Sequence, residues 1–73
     1  MKAQELIKKM LESGMDEAAS IIEKRIKNHP ETTSIYISDY DDQAYNSGLA
    51  DFLQNNTRWF NCPDRNGFKA IFN

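Results

Sequence analysis

The sequence predicts a small α+β domain with the order α-α-β-α-β-β, its three-stranded, mainly antiparallel sheet carrying helices packed on one face. Three observations predict it. Apolar residues recur at three- and four-residue steps through the first 29 positions, which is helical spacing. The stretch "TTSIYIS" at 32–38 is β-branched and aromatic, as a strand is. The C-terminal stretch "TRWFNCPDRNGFKAIFN" sets two ring-rich runs on either side of turn chemistry. At 73 residues the chain is expected to form one domain, 1–73, with a small core.

In the first helix Ala3, Leu6, Ile7, Met10 and Leu11 build one apolar stripe, and Lys8 and Lys9 face water. Ser13-Gly14 closes it, because glycine adopts the left-handed cap conformation without a steric penalty. The second helix has Asp16 as its expected N-cap, Glu17 in its first turn and Ala18, Ala19, Ile22 and Ile26 along its buried side. Lys24, Arg25 and Lys27 suit its C-terminal end, and Pro30 stops it. One unbroken helix over 2–28 would be about 40 Å long, more than a domain of this size covers. Residues 1–29 therefore read as a helical hairpin bent at Gly14.

The strand at 32–38 puts Ile35 and Ile37 on one face and Tyr36 on the other. Ser38-x-x-Asp41 then matches the capping-box pattern, predicting a third helix over 39–54. Tyr45, Leu49, Phe52 and Leu53 form its core stripe, and Gly48 permits close approach to the sheet. Asn55-Asn56 ends it. The turn Pro63–Gly67 joins strands at about 57–62 and 68–72, so that 57–72 reads as a β-hairpin.

Composition narrows the function. A chain that is 40% hydrophobic and 27% charged is globular rather than disordered. No apolar run approaches the roughly 20 residues that cross a bilayer, and residues 1–19 are amphipathic rather than an apolar leader, so no membrane partner and a cytoplasmic location are expected. Cys62, the single cysteine, has no internal disulfide partner and no second thiolate with which to hold zinc.

The net charge of −2 conceals an asymmetry. Residues 30–55 hold Glu31, Asp39, Asp41, Asp42 and Asp51 and no Lys or Arg, whereas Arg58, Arg65 and Lys69 outnumber Asp64 after them. In "SDYDDQAY", the residues Asp39, Tyr40, Asp41, Asp42 and Tyr45 form the first candidate site. Tyrosine supplies rigid contact area and the charges steer a basic partner. The same carboxylates, in a helix's first turn, also serve the helix's own unpaired N–H groups. Their spacing lacks the glycine and distant glutamate of a calcium loop, so no metal is expected. The second candidate site is the aromatic and basic hairpin, with Arg58, Trp59, Phe60, Phe68 and Lys69. Alternation puts Trp59 on one face and Arg58 and Phe60 on the other, so some ring is expected to stay exposed and to anchor a partner or a second copy of the chain.

Residues 4–27, with "LIKKMLESGMDEAASIIEKRIK", resemble the two-helix part of ribbon-helix-helix repressors, which implies a DNA-binding alternative. The groove-entering strand of that family has no counterpart in residues 1–4, and Lys2 is the only base before Lys8. Catalytic motifs are not evident. His29, beside Pro30, reads as a helix-end residue, and neither a glycine-rich phosphate loop nor a Ser-centred elbow occurs. The expectation is a non-enzymatic protein without cofactor that inhibits or adapts another protein through the acidic, tyrosine-bearing surface. Small acidic proteins of phages and mobile elements offer the analogy. The alternative is a nucleic-acid-binding regulator that uses the hairpin or the first two helices.

Overall fold

Helices lie against one face of a three-stranded antiparallel sheet in an α+β domain, as the periodicity and the strand composition predict, with four α-helices among the described residues where three are expected. The structure, a computed structural model, describes residues 2–29 and 31–72. Helices α1 (Ala3–Glu12) and α2 (Asp16–Arg25) form a hairpin whose turn holds Gly14 at φ 76°. Strand β1 (Ser34–Ser38) leads through α3 (Asp42–Asn46) and α4 (Leu49–Asn56) to β2 (Arg58–Cys62). A 3-10 turn at Pro63–Arg65 then returns the chain as β3 (Gly67–Ile71).

The sheet order is β1-β3-β2, so the last strand is the central one. Ile37 stands opposite Phe68 and Ile35 opposite Ala70, while Trp59 also stands opposite Ala70. Partners directly opposite share a face. The helix-bearing face thus holds Ile35, Ile37, Phe68, Ala70 and Trp59, and the other holds Tyr36, Lys69, Ile71, Arg58, Phe60 and Cys62. Ile37, Phe68, Ala70 and Phe72 join Leu6, Met10, Ile22, Leu49 and Leu53 in one buried cluster. The apolar stripes expected on α1, α2 and the third helix supply the other side of that core, except that Leu11 and Tyr45 stay exposed.

Local expectations differ from the structure at four places. The helix expected over 39–54 is divided, because Gly48 takes φ 86° and ends the first piece. A β-carbon there would meet the Met15 side chain at 3.3 Å, so the close approach that Gly48 permits is to the α1–α2 turn and not to the sheet. The capping box does not form: the N-cap is Asp41, three residues on, which accepts from the Ala44 N–H at 3.1 Å, and Ala44 has no side chain to return the bond. Ser38 Oγ instead accepts from the Tyr40 N–H at 3.2 Å. Met15 rather than Asp16 precedes α2, leaving Asp16 in the first turn. Finally, α2 ends at Arg25, so His29 lies beyond it, where its carbonyl accepts from the Thr32 hydroxyl at 2.6 Å. Pro30, the expected stop, lies outside the described residues.

Candidate functional site

The acidic stretch forms a corner where β1 leaves the sheet. Its backbone is pinned: the Asp39 N–H donates to the Asn66 carbonyl at 2.8 Å and the Asp41 N–H to the Ser38 carbonyl at 3.1 Å. With the main chain held, the side chains divide into two groups.

Asp41 is engaged with its own protein. One carboxylate oxygen caps α3, and the other receives the Arg25 guanidinium of α2 at 2.6 Å, largely out of solvent. The hydrogen bond from Arg25 is the main reason its carboxyl titrates below the usual range, helped by the Ala44 N–H and the Arg25 charge and opposed by burial. Asp39, Tyr40 and Asp42 are exposed, Tyr40 to 79% of its surface. Tyr45 is 40% exposed at the rim of the core. Its hydroxyl titrates above the usual range, first because of burial and then because of the charges of Asp39, Asp41 and Asp51.

Asp51 is the member of this corner that sequence periodicity misses. In one continuous helix it would lie about 120° around from Tyr45. Its charge acts on the Tyr45 hydroxyl from α4, which Gly48 separates from α3. Arg25 was likewise invisible as a partner, since nothing local links α2 to the start of α3. The corner therefore presents the exposed side chains of Asp39, Tyr40, Asp42 and Tyr45, with the charge of Asp51 acting on Tyr45, beside an Asp41 already paired with Arg25.

The hairpin residues do not form one patch. Phe68 is core, 2% exposed. Trp59 meets it edge-on, ring centroids 5.6 Å apart, at the margin of the helix-bearing face, and remains 41% exposed. Arg58, Phe60 and Lys69 lie on the helix-free face, where Phe60 is 49% exposed. On that face the Tyr36 hydroxyl donates to the Arg65 carbonyl, and the Arg65 guanidinium sits 4.3 Å from the ring centroid. The Tyr36 ring lies against Gly67, where a β-carbon would collide with it and with the Ile37 carbonyl.

Elsewhere, grooves of about 370 and 410 Å³ flank the α1–α2 hairpin, lined by residues such as Ile7, Ile26 and Lys27 or Ala19, Ser20 and Lys24. Neither is lined by a residue of the acidic corner or of the β2–β3 hairpin. Among the described residues no His, Cys, Asp and Glu cluster is able to hold a metal ion, and no helix is long and apolar enough to cross a membrane. Cys62 lies half-buried at the end of β2 and His29 is exposed after α2. Comparison of the chain with protein-family models, curated proteins and solved structures finds no match.

Proposed function

We propose that this chain is a non-enzymatic binding protein that inhibits or adapts another protein by docking its acidic, tyrosine-bearing corner onto a basic surface. The supporting observation is the exposure of Tyr40 and Tyr45 beside Asp39, Asp42 and Asp51 on a backbone that is already pinned. A pre-ordered loop loses little entropy on binding, and its carboxylates steer the encounter. Asp41 works indirectly, because its bonds to Ala44 and Arg25 hold the start of α3 in place. The cytoplasm is the expected compartment, where a lone thiol such as Cys62 stays reduced.

The test is capture of partners from cells of the source by wild type and by a variant carrying Asp39→Asn, Asp42→Asn and Tyr40→Ala. All three positions are exposed, so circular dichroism should show an unchanged fold. A partner held by wild type and lost by the variant supports the proposal. Equal capture by both ends it, and a captured nucleic acid in place of a protein favours a regulator of nucleic acids.

A further inference from the structure

The face of the sheet that carries no helix sorts its side chains by charge. Tyr36, Lys69 and Phe60 stand opposite one another across the three strands, so one row runs ring, cation, ring. Neighbouring strands lie about 4.8 Å apart, which sets the backbones that carry the two rings about 10 Å apart, with Lys69 between them. Phe60 is 49% exposed. None of the strand residues on this face is Asp or Glu, although the chain as a whole carries a net charge of −2.

Arg65 completes the row at its β1 end. Its guanidinium lies 4.3 Å from the Tyr36 ring centroid, and the Tyr36 hydroxyl donates to the Arg65 carbonyl, so the exposed cation is held over the ring. A guanidinium so placed is both a charge and a planar surface on which another ring can stack. Among the described residues neither Lys69 nor Arg65 is in a salt bridge, and Asp64 beside Arg65 makes no ion pair with it. Arg58, in the next row, is already engaged within its own chain, so the contacts to a ligand fall to Phe60, Lys69 and Arg65.

We propose that this face binds single-stranded nucleic acid, one base stacking on Phe60 and another on the Arg65 guanidinium, with Lys69 against the phosphates between them. A polymer that alternates flat rings with negative charges matches a row that alternates rings with positive ones. An acidic peptide meets the charges and leaves the rings unused, and a duplex keeps its base faces stacked inside, away from both. Two cations make the binding weak and salt-sensitive, so stacking carries as much of it as charge does. The acidic corner takes no part, and either surface can fail its test without the other.

Fluorescence anisotropy of labelled mixed-sequence DNA and RNA oligonucleotides, with the full chain at low salt, tests this. Single strands should bind, and the same sequences as duplex should bind roughly tenfold more weakly or worse. Log affinity should fall against log salt with a slope of about −1.4, from about −0.7 for each of two phosphate contacts. Phe60→Ala should weaken binding roughly tenfold, and Lys69→Gln should weaken it and flatten the slope by about 0.7, both with the circular dichroism spectrum of wild type. The variant with Asp39→Asn and Asp42→Asn should bind no more weakly than wild type. Ultraviolet cross-linking of oligothymidine to wild type, mapped by mass spectrometry, needs no variant: attachment at Phe60 is expected, and attachment at Trp59, on the opposite face, overturns the proposal. So do absence of binding at low salt, equal binding of duplex, and wild-type affinity in both the Phe60 and Lys69 variants. Binding of poly-glutamate with no binding of oligonucleotides gives the face to an acidic protein and overturns it as well.

Discussion

β2 and β3 are the two arms of one hairpin, each five residues long and each carrying phenylalanine, yet Phe68 is 2% exposed and Phe60 49%. The difference does not lie in the side chains. It lies in β1, which pairs with β3 and makes it the central strand, and in the helices, which cover the face that Phe68 shares with Ile37. The same division appears among the aspartates. Asp41 is tied to Ala44 and Arg25, while the adjacent Asp42 faces water. Residues of identical chemistry are assigned to holding the fold or to facing solvent by which neighbours the chain's path supplies.

The contrast is broken most severely at its buried member. Phe68→Ala removes a ring from the centre of the core and should cost about 3–5 kcal/mol, enough to leave little folded protein in so small a domain. Phe60→Ala should stay within about 0.5 kcal/mol. Urea unfolding of both variants in dilute solution measures the pair, and equal losses would erase the distinction between the arms.

Next in size is Gly67→Ala, at the start of β3. The added methyl collides with the Ile37 carbonyl and the Tyr36 ring, and a loss of about 2–3 kcal/mol is expected. Thermal unfolding checks it, and an unchanged midpoint would mean that the Tyr36–Arg65 cover on the open face moves aside freely.

Asp41→Ala should cost about 1–2 kcal/mol through the lost cap, and it sharpens the contrast with Asp42→Ala, for which no comparable loss is expected. The sign of its pH dependence follows from the lowered titration of Asp41. The stabilisation is complete above the unfolded value of about 4 and is lost as pH falls through the lower folded value. Acid titration of the thermal midpoint should therefore fall more steeply for wild type than for Asp41→Ala. The smallest effect is at Tyr45. Converting Asp39 or Asp51 to Asn should move its hydroxyl titration down toward the ordinary range, read by ultraviolet absorbance, and no movement would place those charges farther away than the corner requires.

Most of the architecture was legible in the chain because it rests on local periodicity. The stripe Ala3, Leu6, Met10, the strand Ile35-Tyr36-Ile37 and the turn at Pro63 to Gly67 each declare themselves over a few residues. Gly48 reads as a contact residue inside a helix because periodicity alone does not reveal a positive φ. The acidic corner was legible as composition and half legible as geometry: Tyr40, Tyr45, Asp39 and Asp42 were named and are exposed. Arg25 and Asp51 were missed, since their roles depend on the docking of α2 against α3 and on the turn between α3 and α4. The hairpin residues were named together, and the structure separates them among core, margin and open face.

By itself, then, the sequence determined the fold class, the element order and the alternation that separates Trp59 from Phe60, because these follow from spacing along the backbone. Only the tertiary structure decided that β3 lies in the middle, that one of three neighbouring aspartates is neutralised by Arg25, and that β2 is left as an edge with a ring on each side. Those outcomes depend on contacts between residues distant in the chain, and strand order and helix docking settle them through burial of the whole apolar cluster at once.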